Sequence, residues 1–378
     1  MPLPDWRIEK SAITDSSLGH QVYFGGMKSE YKGYAFSKIY QIRWTPRARR
    51  AVPFYWHSVR KQFDKVLKET KPDVIHAHNI FSAKMVSEFG VPFVYDDHEY
   101  WSKLSILLNE MLDRKVGMKD KPRTPDSHKS TLDYLTKIRR VLINTYAVRL
   151  WTRWEREIVS SNPTITVSEQ IAAELRTNYD AKSVFVVPNF PMHSEVKDFE
   201  KPRFHDNLSS VYAGVEAKGE ITPSHRKIDG FNSTFLQNDI GNLIIIGWNN
   251  NSSSDKIRYM GFLPRQAMFQ EMFSHSIGLI PWKQHWSHVF VSPNKAYEYA
   301  HAGLLVACTY SFIVIKEILK EHCVVFDDYV EMASKLTYFK ENLDEVFNKR
   351  LKIFDYARKN LIWENNESNI IEAYKRCT

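Results

Sequence analysis

The feature that most constrains this chain is a rhythm. Short apolar runs, each ending in polar residues, alternate with stretches of helical spacing. "DVIHAHN" (73–79) and "PFVYDDHEYW" (92–101) read as buried strands with polar tips. Before and between them, "FYWHSVRKQFDKVLKETKP" (54–72) spaces Phe54, Val59, Phe63, Val66 and Leu67 along one helix face, with Pro72 as its stop, and "SAKMVSEFG" (82–90) reads as a helix closed by Gly90. "GHQVYFGG" (19–26), "PTITVSE" and "SVFVVPNFP" read as further strands, Ser168 as a helix cap, "QIAAELRTNY" as a helix, and 131–160 as one long helix. Helices alternating with strands over short links are the pattern of a parallel sheet flanked by helices. Residues 102–130, polar and basic, read as a loop or a partly ordered insertion.

The rhythm then restarts. Pro188, Pro191 and the charged "HSEVKDFEKPRFHDN" read as an interdomain linker. Beyond it, "SSVYAG", "LIIIGWN", "IRYMGFLP", "IGLIPW", "LLVAC" and "CVVFDD" read as strands, separated in part by the helical patterns "RQAMFQEMFSHS", "PNKAYEYAHAG" and "FIVIKEILKEH". The tail, 342–378, reads as amphipathic helix broken near "WENNES". A chain of 378 residues is long for one core, so two α/β domains are expected.

Cysteine and charge narrow the function class. Three scattered cysteines (Cys308, Cys323, Cys377), with no CxxC pair, suggest a reducing compartment and no structural metal. "MPLPDWRIEK" lacks the apolar core of an export signal, and the longest apolar stretch, 304–315, is too short to span a bilayer, so a cytoplasmic protein is expected. Residues 1–190 carry 30 Lys and Arg against 21 Asp and Glu, whereas residues 191–378 carry 22 against 23. The basic excess of the first half favours an anionic partner. No basic–aromatic nucleic-acid module accompanies it.

In open parallel sheets ligands bind beyond the carboxyl ends of the strands. Three polar tips qualify: His76 and His78 in "HAHN", Asp96, Asp97, His98 and Glu99 in "DDHE", and Lys295 and Glu298 in "SPNKAYE". A helix start presents free N–H groups and a positive dipole end, and Lys295 adds a cation for a diphosphate. Glu298, one turn on, accepts only, which suits a pair of vicinal ribose hydroxyls. The bland alternative is an ordinary first turn with Glu298 complementing the dipole. The tandem histidines, with no cysteine near, read as structural rather than metal-binding.

Taken in order, "DWRIEKSAITDSSLGHQVYFGG", "KPDVIHAHN", "VPFVYDDHEYW", "TITVSEQIAAEL", "VVPNFP", "IRYMGFLPRQAMFQEMFSHSIGLIPW" and "SPNKAYEYAHAGLLVAC" resemble the GT-B glycosyltransferases, most closely retaining glycosyltransferase family 4. The resemblance implies two Rossmann-like domains facing across a cleft: residues 1–190 on the acceptor side, with a final helix near 362–378 returning to them, and residues 191–361 binding a nucleotide-diphosphate sugar. It implies a metal-independent transfer of the sugar to a glycan or lipid-linked acceptor, with no cofactor beyond the donor. By the same resemblance Glu298 holds the ribose. Lys218 or Arg226, with Lys295, neutralises the diphosphate. His98 touches the donor sugar or the leaving phosphate. Ser292, Pro293, Asn294, Gly261, Phe262, Glu99 and His78 fall at positions expected to line substrate.

The sequence also departs from the family pattern. Phe290 stands where an earlier glutamate is common, and Gly214–Val215 stands where Gly–Arg is usual. The first strand and glycine-rich turn that the resemblance implies do not precede the first helix in this sequence, so the expectation is either a truncated chain or a sheet that lacks that strand. A catalytically inactive nucleotide-binding or scaffold protein is therefore the competing expectation. Helix 131–160, with Lys137, Arg139, Arg140, Arg149, Arg153 and Arg156 beside Trp151 and Trp154, is a candidate for peripheral contact with an anionic membrane, the tryptophans lying at the interface; the alternative is a packed helix whose aromatics are core and whose arginines are solvated.

Overall fold

A computed structural model of the chain describes residues 3, 5–27, 33–104, 106–107, 110, 130–214, 224–249 and 254–377. They form two compact units, residues 1–188 with 366–378, and residues 189–365.

The first unit opens with α1 (Trp6–Ser17), whose first N–H groups are held by the Asp5 carboxylate through Arg7 and Ile8. β1 (Tyr23–Gly26) and β2 (Lys38–Gln41) follow and pair in parallel. α2 (Pro53–Thr70) takes its proline in the first turn, where no backbone donor is lost, and ends in left-handed Lys71, one residue before Pro72. β3 (Ile75–Ala77), α3 (Ile80–Val86), β4 (Phe93–Asp97), α4 (Ser130–Val159), β5 (Thr164–Thr166), α5 (Glu169–Tyr179) and β6 (Val184–Val186) complete the alternation. Asn79 caps α3 by accepting from Ser82 N at 2.9 Å, and Ser168 caps α5 by accepting from Ile171 N at 3.3 Å. β3, β4, β5 and β6 make one parallel sheet, while β1 and β2 stand as a separate pair.

The second unit begins with the stretch expected to be a linker. It is not one: α6 (His193–Val196) forms there, Val196 is buried, and Phe190 packs edge-on against the Tyr297 ring at 4.8 Å. β7 (Ser209–Ala213), α7 (Phe231–Gln237), β8 (Asn242–Ile246), β9 (Ile257–Gly261), α8 (Arg265–Phe273), β10 (Ile277–Ile280), α9 (Asn294–His301), β11 (Leu305–Thr309), α10 (Ile313–Leu319), β12 (Cys323–Phe326), α11 (Tyr329–Glu341) and α12 (Leu343–Asn360) follow. The six strands pair in parallel in the order β12-β11-β10-β7-β8-β9. Strand side chains alternate between two apolar layers: Val211, Ile244, Ile280 and Val306 lie on one face, and Tyr212, Leu243, Ile245, Leu279 and Leu305 on the other. Both faces are buried, as parallel sheets require. The last helix, α13 (Glu367–Lys375), belongs to the first unit, where Asn369 donates to Val186 O at 2.9 Å.

One expectation needs correction. Trp151 and Trp154 do not face outward: Trp154 is buried against Trp56, and Trp151 packs on Phe81 and Trp101 while donating to Arg49 O at 2.8 Å. The loop or insertion assigned to 102–130 lies mostly outside the described residues.

Candidate functional site

In the second unit the strand order reverses between β7 and β10, and the chain leaves the sheet on both sides of that point. Such a switch leaves a crevice at the strand ends. Gly214 follows β7, Pro281 and Trp282 follow β10, and α9 starts beside them.

Lys295, in the first turn of α9, sends its ammonium into this crevice. Nζ lies 4.6 Å from the Tyr212 ring centroid and 4.8 Å from that of Trp282. The two rings are joined by Trp282 Nε1 donating to Tyr212 Oη at 3.1 Å. Arg226 places its guanidinium 5.4 Å from the Trp282 ring. Gly214 makes the approach feasible, because a Cβ there would lie 2.9 Å from Lys295 Nζ. Burial, and then the charge of Arg226, pull the Lys295 pKa down to about 7 against the attraction of Glu298. Among the described residues no carboxylate lies within ion-pair distance of Nζ. Two cations therefore converge on a strand-end crevice in surroundings that call for an anion.

Glu298, one turn further along α9, is only partly exposed. Its Oε1 accepts from Arg265 Nη1 at 2.5 Å, and Arg265 Nη2 lies 2.9 Å from Glu195 Oε1. Arg265 follows the β9 exit, so this bridge ties that exit to α9. At the exit Gly261 takes φ +64°, and a Cβ there would lie 2.5 Å from Asn249 Oδ1. Phe262 beside it is 81% exposed. Ser292 Oγ shares a 2.5 Å hydrogen bond with Tyr297 Oη, Pro293 precedes the helix, and Asn294 is exposed. Lys218 lies outside the described residues, leaving Arg226 as the described one of the two candidates.

The first unit gathers a second polar cluster at the ends of β3 and β4. Asp96, buried, accepts from Arg7 Nε at 3.0 and 2.7 Å, and Arg7 Nη1 donates to Val187 O at 2.8 Å. His76 Nε2 lies 3.3 Å, His78 Nδ1 3.2 Å and His98 Nδ1 3.4 Å from the Asp96 carboxylate. The His78 and His98 nitrogens are near but not aligned for a hydrogen bond. Burial works against the Asp96 charge, yet Arg7 and the three imidazoles hold its pKa well below the usual carboxylate range. Burial pulls His78 down to about 3 with His76 adding to the effect, whereas for His98 the pull of burial is outweighed by Asp96 and the pKa rises. Glu99 is exposed, and the next residue, Tyr100, sits in the left-handed region at φ 48°. A bulky residue there marks stored strain. His76, His78 and Asp96 present ligand atoms within 4.8 Å of one another, but Arg7 already neutralises the carboxylate.

Sequence reading missed the partners that make both clusters work. Tyr212 and Trp282 lie far from Lys295 in sequence, although both fall at strand-end positions where the switch-point rule would look. Nothing in the sequence pairs Arg7 with Asp96, 89 residues away.

The Glycosyltransferase Family 4 model matches residues 16–190. No curated protein matches the chain in sequence at a significant level. Among solved structures, the chain is similar to sucrose-phosphate synthase from Thermosynechococcus elongatus (TM-score 0.68, 11% identity, 98% of this chain and 92% of that one). It is also similar to HepE of Anabaena in complex with UDP-glucose (TM-score 0.64, 11% identity, 98% and 95%) and to WaaG, a glycosyltransferase involved in lipopolysaccharide biosynthesis (TM-score 0.56, 13% identity, 100% and 97%). Residues 16–190 thus match the Glycosyltransferase Family 4 model, and the chain as a whole has the GT-B fold of these solved structures, with two Rossmann-like domains.

Proposed function

We propose that the protein transfers a sugar, with retention and without a metal, from a nucleotide-diphosphate sugar to a glycan or lipid-linked acceptor. The observation that carries this reading is the burial of Lys295 Nζ between Tyr212 and Trp282, with Arg226 alongside, at the switch point of the second unit's sheet. A diphosphate supplies the counter-charge this crevice calls for. Glu298 Oε1 is engaged by Arg265, so the other carboxylate oxygen is the one we assign to the ribose hydroxyls.

In the transfer, the bond from the sugar's anomeric carbon to the diphosphate oxygen breaks. A bond from the acceptor oxygen forms on the same face, and the acceptor proton passes to the departing phosphate. Lys295 and Arg226 stabilise the charge that develops on that phosphate. His98, kept readily protonated by Asp96, is assigned to the donor sugar or the same phosphate. Support for a nucleotide-sugar donor comes from HepE, which was solved with UDP-glucose. Support for a cell-surface acceptor comes from WaaG and its place in lipopolysaccharide biosynthesis. We assign the protein to the cytoplasmic side, with α4 of the first unit resting on an anionic membrane.

A thermal-shift screen of nucleotide sugars tests the reading. A donor at 100 times its Kd adds about 2.7 kcal/mol, and Glu298→Ala abolishes the shift. An unchanged response in that variant would move the ribose elsewhere. Tight binding with no turnover on any acceptor would favour the inactive scaffold.

A further inference from the structure

The carboxylate assigned to the ribose does not stand alone. Arg265, the first residue of α8, reaches two acids with one planar fork: Nη1 donates to Glu298 Oε1 at 2.5 Å, and Nη2 lies 2.9 Å from Glu195 Oε1. Glu195, on α6, is itself pinned, because its Oε2 accepts from Met192 N at 2.7 Å. The Arg265 guanidinium also lies 5.0 Å from the ring centroid of Phe269, one turn along the same helix. Phe269 is buried and packs on Phe199 at 4.7 Å. The fork is thus held by a ring beneath it and an anchored acid on its far side, and its remaining arm meets Glu298.

We infer that Arg265 is a positioning residue for ribose recognition: braced by Glu195, it fixes one oxygen of Glu298 and leaves the other for the vicinal hydroxyls of a nucleoside diphosphate. The inference rests on the assignment of Glu298 to the ribose. A long, unrestrained glutamate loses rotamer freedom when a ligand binds, and the fork removes that cost in advance. It also opposes the repulsion between Glu195 and Glu298. Lysine does not replace it, because a single ammonium lacks the second arm. As a stability device the bridge is weak. Partly exposed ion pairs contribute little, and α8 and α9 are already fastened by the buried Phe269, Met272, Ala296 and Ala300. What singles it out is its grip on the side chain assigned to substrate. Glu195 lies in the charged stretch that reads as a linker, and the brace gives that stretch a second task.

Calorimetry on the full chain tests this with UDP, GDP and ADP and with the 2′,3′-dideoxy form of each. The ratio of dissociation constants, dideoxy over ribo, is taken for the base that binds most tightly and reads the ribose contact alone. Hydrogen bonds to a charged acceptor give an expected wild-type ratio of about ten or more. Arg265→Gln should lower the ratio to about two, with dideoxy binding changed by less than about twofold, and Arg265→Lys should restore only part of it. Glu195→Gln keeps an acceptor for Met192 N but loosens the brace, and should lower the ratio about threefold. A wild-type ratio in Arg265→Gln, or in Glu195→Gln where the first variant does not fold, overturns the inference. So does an equal loss of affinity for both ligands, which is what a merely structural bridge would give. Glu298→Ala tells two failures apart. If it abolishes a ratio that Arg265→Gln keeps, only the positioning role falls. If it keeps the ratio, or if the wild type shows none, the ribose assignment falls and the inference with it.

Discussion

Lys295 is a cation placed where cations are costly, and its titration is a signature of what it serves. With a folded pKa of about 7 against an unfolded value near 10.4, the unfolded chain binds more protons between those limits. The unliganded protein therefore gains stability as pH rises through that window, and Lys295→Met removes the slope. A diphosphate reverses the preference by favouring the ammonium. Binding of a nucleotide diphosphate should take up a proton and weaken above about pH 7, by up to about tenfold per unit. Calorimetry in two buffers of different ionisation heat checks this, and a pH-independent Kd in the wild type contradicts it. Asp96 titrates in the opposite sense. Its folded pKa is depressed, so its stabilisation is present above the unfolded carboxylate value and is lost as pH falls through the folded one. Asp96→Asn strands a buried Arg7 and should cost about 3–5 kcal/mol in urea unfolding. Pairing it with Arg7→Met should recover much of that loss.

At the level of the element, α9 matters because it is fixed to the sheet at both sides of the switch point. Tyr299 Oη accepts from Ala213 N at 2.7 Å, at the end of β7, and donates to Leu279 O at 3.4 Å, in β10. Its ring lies against Gly278, where a Cβ would come within 2.4 Å. Gly278→Ala should therefore cost about 1–3 kcal/mol and also weaken nucleotide binding, because Lys295 and Glu298 ride on the same helix. Denaturant titration and calorimetry on the one variant read both effects, and intact affinity would mean that α9 does not set the site. The strands on either side of α9 were legible in sequence because buried parallel strands are short apolar runs with polar ends. α11 was legible too and was overlooked: Asp328 caps it, and Met332, Leu336 and Phe339 share its buried face. α7 was not legible, since seven residues give too few turns for a period to show. β2 was hidden by its exposed, mixed sequence. The polar tips were visible from spacing alone. The aromatic walls around Lys295 and the guanidinium on Asp96 come from distant strands and helices, and only the assembled sheet brings them together.

On the scale of the whole molecule, the charge asymmetry of the first unit would suit an anionic partner, and the proposed membrane contact would place that partner on α4. Among the described residues no helix is long and apolar enough to cross a membrane. Yet Ile138, Val141, Leu142 and Tyr146 lie exposed on α4 at spacings that share a face, and Arg139, Arg149 and Arg153 are exposed along the same helix. With Trp151 and Trp154 committed to packing, these residues would be the apolar anchors of the membrane contact proposed above. An interfacial helix combines such apolar contact with attraction to acidic headgroups. The full chain should therefore float with acidic vesicles and much less with neutral ones. The difference should shrink as salt rises, because the screening length falls from about 10 Å at 0.1 M to about 3 Å at 1 M. Leu142→Glu, at a side chain 64% exposed, should reduce flotation several-fold while leaving nucleotide binding in the second unit untouched. Equal recovery with neutral and acidic vesicles would sink the membrane assignment and return the basic excess to a solvated surface.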